Sequence, residues 1–310
     1  MTRLEYPQGQ ASVRIRNGAV CPVCNADQSG PSYLGQGLYK DFEFSYRGCL
    51  DCGSLFVAPM PDESVLQDLY SPDYLEMHYA SDLGGETVDT EVGGELDEAV
   101  QLLVERKPGG TVLDVGCGAG RFLRMARMAG LCPEGHERQV VTAQTTSQVT
   151  RIKVHAGELA NVHVRYDAVH IADVLEHCPS PLDMLIDIRR LLMPDGVLVA
   201  RGPLENQMNI FQQSVRLSRL LKAKFGKLGP ATLPPYHVIL FTLTGWRRLF
   251  GRAGFRVLDE RVYETRWPAP KNFSLRPVSV IKELSLLMSR SALGRSVGMG
   301  NRVRSLLAMK

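Results

Sequence analysis

Four cysteines stand as two C-x-x-C pairs, Cys21-Pro22-Val23-Cys24 and Cys49-Leu50-Asp51-Cys52, with twenty-four residues between them. Each pair makes a tight knuckle that aims two thiolates at one ion, and two knuckles complete a tetrahedral Zn(II) site. Protein ligands fill all four positions and leave none for water, so the ion expected here is structural. A second group of residues suits a small organic cofactor. Val112 to Val115 reads as a buried strand running into the turn Gly116-Cys117-Gly118-Ala119-Gly120, which opens a helix. A dinucleotide fingerprint G-x-G-x-x-G would need its last glycine at position 121, which is Arg121. Asp114, two residues before the first glycine, would repel a pyrophosphate at the mouth of the turn and suits a ligand carrying an ammonium and a sulfonium. The turn therefore favours S-adenosylmethionine over NAD.

From about residue 95 to 265 the chain resembles a class I S-adenosylmethionine-dependent methyltransferase of the broad small-molecule type. The resemblance rests on four patches in order: the turn just described, Gly135-His136-Glu137, Gly157-Glu158-Leu159, and Asp173-Val174-Leu175-Glu176-His177 followed by Pro181 and Leu191-Leu192-Met193-Pro194-Asp195-Gly196. It implies that Asp114, Gly116, Cys117, Gly118 and Gly120 lie along the methionine part and the ribose, where a Cβ would hold the backbone off the ligand. Glu137 would accept both ribose hydroxyls, Glu158 the adenine amine, and the Leu159 amide would face a ring nitrogen; Asp173 completes the cofactor set. His177 falls where the fourth strand delivers residues to the reaction centre, and an imidazole there can take the acceptor's proton. The alternative for His177 is a helix cap or packing against the cofactor, and Glu176 reads as structural. Tyr236 and His237, in Pro234-Pro235-Tyr236-His237, border the acceptor pocket in such enzymes, with a core role as the alternative. That P-P-Y string is not the signature of nitrogen-directed nucleic-acid methyltransferases, which sits at the end of the fourth strand, here Ala172-Asp173-Val174-Leu175.

The cysteine module, the Pro59-Met60-Pro61 punctuation and the aromatic cluster after it, with Tyr74 and Tyr79 as acceptor contacts, are similar to the N-terminal part of methyltransferases acting on sugars. Sugar C-methyltransferases of that kind carry a large further C-terminal domain, so O-methylation is the favoured expectation over C- or N-methylation.

These groups need a scaffold, and alternating strands and helices supply one: an α/β fold with a doubly wound, Rossmann-like seven-stranded sheet and a small N-terminal β-rich zinc module. The expected organisation is a zinc module over 1–60, a helix capped by Asp62 and a mobile lid over 61–95, a methyltransferase domain over 96–267 with an acceptor insertion at 204–240, and a basic amphipathic tail over 268–310. Strands are expected at 111–115, 131–137, 151–155, 166–172, 196–201, 254–260 and 262–267, and helices at 96–106, 120–129, 181–192 and 244–252.

The net charge of +3 is too small for a nucleic-acid protein as a whole, but it is unevenly spread. Residues 81 to 98 carry seven acids and no Lys or Arg, 211 to 230 five bases and no acid, and the last forty residues eight bases and Glu283 alone. The basic segments raise two alternatives, an RNA methyltransferase and a tail in peripheral contact with a membrane. A module that binds cofactor without transfer is a third. With no apolar leader after Met1 and no apolar run long enough for a bilayer, the expected location is cytoplasmic, and the expected partner is a small-molecule acceptor: a sugar, nucleotide-sugar or glycan.

Overall fold

The computed structural model describes residues 19–69, 90–207, 209–225, 235–265 and 277–310. Tyr74 and Tyr79, with most of the lid expected at 61–95, lie outside the described residues. Strand β4 (Thr111–Val115) is a continuous apolar run, buried from Val112 to Val115 as a central parallel strand must be. It lies between β5 (Cys132–Glu137) and β7 (Tyr166–Ala172), both parallel to it. Outside them come β6 (Val154–Ala156) on one side and β8 (Leu192–Pro203) on the other. Beyond β8 the sheet turns antiparallel with β11 (Arg302–Met309) and then β10 (Phe255–Tyr263). The full order is β10-β11-β8-β7-β4-β5-β6.

Helices cover both faces because their apolar residues recur at helical spacing. Helix α2 (Thr90–Arg106) buries Leu96, Ala99, Val100 and Leu103. Helix α3 (Arg121–Met128) buries Phe122, Leu123 and Ala126, and α5 (Pro181–Leu191), opened by a proline in its first turn, buries Leu185, Ile188 and Leu191. Helix α7 (Leu243–Arg252) is capped by Thr242, whose hydroxyl accepts the Gly245 amide, and buries Trp246, Leu249 and Phe250. The remaining helices are α1 (Glu63–Leu69), started by Asp62 accepting the Val65 amide, α4 (Val140–Thr150), α6 (Ile210–Lys224), α8 (Pro277–Arg290) and α9 (Ala292–Ser296). Among the described residues no helix is long and apolar enough to cross a membrane.

Four expectations are corrected. The seventh strand is not at 262–267: β10 absorbs that stretch to Tyr263, and the strand between it and β8 is β11. Residues 302–309, the last part of the basic tail expected over 268–310, thus lie inside the sheet. Val303, Leu306 and Leu307 are fully buried, while Arg302 pairs with Glu95 and Asp173 and Arg304 with Glu98 and Asp259. Those carboxylates let two arginines enter a buried strand. Helix α2 starts at Thr90, inside the stretch expected to be a mobile connector, and its Glu95 is fixed by Arg201 and Arg302. Helix α4 forms from a threonine-rich sequence with no helical stripe because tertiary bonds hold it: the Thr146 hydroxyl donates to the Gly118 carbonyl at 2.6 Å.

The cysteine module expected over 1–60 does not close at residue 60. Its antiparallel sheet runs β1 (Ser29–Tyr39), β2 (Phe42–Cys49), β3 (Leu55–Ala58) and then β9 (Ile239–Leu240), a strand supplied from the far end of the expected insertion. One apolar core runs from Cys21, Phe56 and Val57 of the module to Trp246, Phe250 and Leu198 of the larger sheet.

Candidate active site

At the carboxyl edge of β4 the chain turns through Gly116, Gly118 and Gly120, all left-handed, with φ of 72°, 48° and 71°. A Cβ on Gly116 would come within 2.5 Å of Val174. The concave face this leaves is bounded by Glu137 at the end of β5. One carboxylate oxygen of Glu137 accepts the Gly118 amide at 3.2 Å and the other the Gln139 amide at 3.1 Å, so the group is aimed before any ligand arrives. Burial raises the Glu137 carboxyl, and those amides partly offset the effect. Cys117 is buried beneath the turn, its thiol pushed up by that burial.

Asp114 is not at the mouth of the turn. It is buried, with its carboxylate 2.7 Å from His170 Nδ1 on β7, and the His170 ring stacks on Phe122 at 3.9 Å. Burial holds His170 below its usual value against the pull of Asp114, so a neutral ring donates its Nδ1–H to the carboxylate. Leu159 is buried, whereas Glu158 is exposed and ion-paired to Arg138 at 3.1 Å. Asp173, itself left-handed with φ of 55°, receives Arg302 at 2.8 Å.

Across the edge from this cradle, a single 3-10 turn at Leu175–His177 presents His177. Its Nδ1–H donates to the Tyr236 carbonyl at 2.8 Å; since a carbonyl only accepts, the neutral ring carries its lone pair on Nε2. The His177 and His237 rings meet edge to face, 4.7 Å between centroids. His237 Nδ1–H donates to Glu205 at 2.5 Å. Burial alone would lower His237, but Glu205 outweighs it and holds the imidazole up at about 9. Glu176 is buried to 1% exposure, with one carboxyl oxygen that has no hydrogen-bond partner among the described residues, and burial together with the charge of Asp173 pushes it up to about 8. At neutral pH the site therefore holds an imidazolium at His237 and, buried beside it, an un-ionised acid at Glu176. Tyr236 contributes its backbone carbonyl to His177.

Glu176 ionises near its ordinary 4.5 in the unfolded chain and near 8 in the folded one, so the folded state loses stability as pH rises between those values. Replacing it by Gln removes that loss. Between pH 5 and pH 9 the stability of Glu176→Gln relative to the parent is expected to rise by on the order of 4 kcal/mol, measured by urea unfolding at each pH.

Sequence reasoning passed over Glu205, Tyr46 and Arg302. Glu205 follows directly on the carboxyl end of β8, where functional side chains collect, and that position was its one available signal. Tyr46 and Arg302 carried none.

The cysteines converge as their spacing requires. All four sulfurs lie within 4.8 Å of one another, with Cys21–Cys52 at 3.8 Å and Cys24–Cys49 at 3.5 Å. Tetrahedral bonds of about 2.3 Å put sulfurs about 3.8 Å apart, so the set fits Zn(II). The Cys52 amide donates to Cys49 Sγ at 3.4 Å, as a knuckle does.

Comparison with known proteins defines the class. The family profile described as a methyltransferase domain matches residues 88–260, more than half of the chain, and the chain belongs to that family. Its fold is that of a class I S-adenosylmethionine-dependent methyltransferase. Among curated proteins, the ubiquinone biosynthesis O-methyltransferase of Roseobacter denitrificans is 31% identical over 120 residues, covering 36% of this chain and 48% of that protein. The enzyme of the same name from Haemophilus ducreyi is 31% identical over 109 residues, covering 29% and 44%. The chain thus spans about half the length of these curated relatives. Magnesium protoporphyrin IX methyltransferase from Synechocystis PCC 6803, solved with bound S-adenosylhomocysteine, shares the fold with a TM-score of 0.55 at 16% identity, over 80% of this chain and 100% of that one.

Proposed function

We propose that the protein transfers a methyl group from S-adenosylmethionine to an oxygen of a small polar acceptor, a sugar or glycan, with a structural Zn(II) held by Cys21, Cys24, Cys49 and Cys52. The observation that carries this reading is the histidine pair across the sheet edge from the Gly116–Gly120 turn, with His177 oriented through its Nδ1 and His237 through Glu205. S-adenosylmethionine supplies an electrophilic methyl on a positively charged sulfur. Gly116, Gly118, Gly120 and Glu137 hold that cofactor, with Leu159 and Glu158 at its adenine edge and Asp114, Cys117 and Asp173 supporting the turn and the strand beside it. His177 Nε2 receives the acceptor hydroxyl's proton, and His237, charged at neutral pH, donates a hydrogen bond to the acceptor. Tyr74 and Tyr79 complete the acceptor wall in this reading.

The test is His177→Ala. Cofactor affinity by calorimetry should stay unchanged while turnover falls at least ~100-fold, the lower range of general-base catalysis. Normal turnover at saturating acceptor would remove His177 from the mechanism. The acceptor itself is identified by a screen with labelled cofactor over sugars, nucleotide-sugars and glycans. A second reading, methylation of a phenolic oxygen, draws on the name of the curated relatives, and phenols in the same screen separate the two. The RNA alternative loses support because Arg219 is engaged by the Tyr33 and Leu34 carbonyls, Arg216 lies over the Tyr33 ring, and Arg302 and Arg304 are in ion pairs.

A further inference from the structure

Helix α8 is amphipathic the wrong way round for a soluble surface helix. It buries Ser279, Lys282, Ser285 and Ser289 together with Leu286, and turns Leu284 and Leu287 to solvent, the latter 65% exposed. The inward polar face has a defined partner. The Lys282 ammonium, 1% exposed, pairs with the equally buried Glu264, which also accepts from the Ser285 hydroxyl at 3.1 Å and from Asn209 at 3.3 Å. Lys282 also lies over the Phe211 ring of α6, 4.9 Å from its centroid. This buried pair fixes the rotation of α8, and its apolar side has nowhere to go but outward.

Helix α6, which packs on α8, does the same. Leu217, Leu221 and Phe225 follow one another at four-residue spacing along one exposed side, Phe225 at 68%. The cations of α6 at Lys222 and Lys224 are exposed beside them, Arg216 lies over the Tyr33 ring, and the helix carries no acid. Exposed apolar patches of this kind mark interaction sites.

We propose that the outer side of the α6–α8 pair binds the surface of an anionic lipid bilayer. Leucine and phenylalanine enter the headgroup boundary while lysine and arginine beside them meet lipid phosphates, the combination by which interfacial helices bind. A second copy of the chain fits less well, since a twofold contact would bring Arg216, Lys222 and Lys224 near their own symmetry mates with no acid on α6 to oppose them. Of the terminal segment 268–310 expected to touch membranes, helix α8 belongs to this surface, whereas strand β11 lies inside the sheet. Helix α6 also starts at the acceptor edge, where Gln212 donates to the Leu204 carbonyl at 2.6 Å next to Glu205. Bound this way, and on the reading of function given above, the acceptor pocket opens close to the headgroups and suits an acceptor carried on a lipid.

The full-length protein is tested by co-sedimentation with vesicles of phosphatidylcholine alone and of phosphatidylcholine with phosphatidylglycerol, at low and high salt. Binding only to the anionic vesicles, weakened by salt, is the expected result. Lys222→Glu combined with Lys224→Glu should lower the vesicle partition coefficient at least ~30-fold, and Leu221→Ser combined with Phe225→Ser by a similar factor. Circular dichroism and cofactor affinity should be unchanged in both variants, because neither set touches the cofactor turn. Absence of binding to anionic vesicles, or binding indifferent to both variants, overturns the proposal. A dimer in sedimentation equilibrium that the same variants dissociate would also overturn it, assigning the surface to a second copy. Lipid binding is measured without acceptor, so it stands or falls separately from the methyl-transfer reading.

Discussion

Stripping the ion proposed for the four-cysteine site is expected to abolish acceptor methylation while leaving S-adenosylmethionine binding nearly intact. The reason lies in how the small sheet is completed. Strand β9 has two residues and exists only as the partner of β3, with Leu240 paired to Leu55 and Ile239 to Phe56. His237 stands two residues upstream, its carbonyl receiving the Tyr46 hydroxyl at 3.1 Å. The Val238 carbonyl receives the Val57 amide, and the Val238 amide donates to the Glu176 carbonyl, both at 2.9 Å. One continuous path of hydrogen bonds therefore joins the cysteine module to both histidines. The knuckles themselves touch the larger domain, at α7 and the segment after β8: Thr242 donates to the Cys52 carbonyl, Asn206 to that of Gly53 and Arg252 to that of Val23. A module of this size would depend on the proposed metal, since Zn(II) contributes ~10–16 kcal/mol in zinc peptides, more than short strands can replace. Cys49→Ser combined with Cys52→Ser, or chelation, should lower kcat/KM for the acceptor at least ~100-fold, a transition-state loss of ~3 kcal/mol. The cofactor turn makes none of these contacts, so its calorimetric Kd should move by less than ~3-fold. Full turnover in metal-free protein would show the module to be dispensable for the acceptor site.

The parts of the fold that could be read from sequence are those whose determinants are local. The strand–turn–helix at 111 to 128, the strand at 166 to 172 and the proline-started helix at 181 to 191 each carry apolar spacing and end signals within twenty residues. Strand β11 failed that test because its alternation, Arg302-Val303-Arg304, reads as a charged tail until Glu95, Glu98, Asp173 and Asp259 are known to face it. Helix α4 failed because its support is the Gly118 carbonyl, twenty-eight residues away. The candidate site divides along the same line. The glycine turn and Glu137 were visible by spacing, one strand–helix–strand unit apart. The partner that buries Asp114, His170, is fifty-six residues distant, and the hydroxyl that holds His237 is 191 residues distant. Chemistry-bearing residues announce themselves by type, whereas the groups that orient them are ordinary residues given a role only by the fold.

The glycine turn makes its own demand, which a pair of substitutions can isolate. Gly116→Ala is expected to lose cofactor affinity at least ~10-fold, while Gly130→Ala loses stability alone. Both positions are left-handed, with φ of 72° and 85°, so either alanine costs the conformational strain of that region, ~1 kcal/mol or a little more. They differ in what the new methyl meets. At Gly130, in the connection between α3 and β5, nothing among the described residues lies within 4 Å of an added Cβ. At Gly116 the methyl falls 2.5 Å from Val174 Cγ2, a distance no carbon pair tolerates. Val174 precedes the 3-10 turn that carries His177, and its carbonyl receives the His177 amide at 3.0 Å. Backing away from it moves the Gly116–Gly118 backbone, whose Gly118 amide fixes Glu137. The crowding is therefore relieved at the expense of the cradle itself. Urea unfolding should report a loss for Gly116→Ala at least as large as that for Gly130→Ala, and calorimetry with S-adenosylhomocysteine should show an affinity loss in Gly116→Ala alone. Equal affinity in both would mean that the turn contributes conformation but not contact, and the close approach of backbone to cofactor would have to be abandoned.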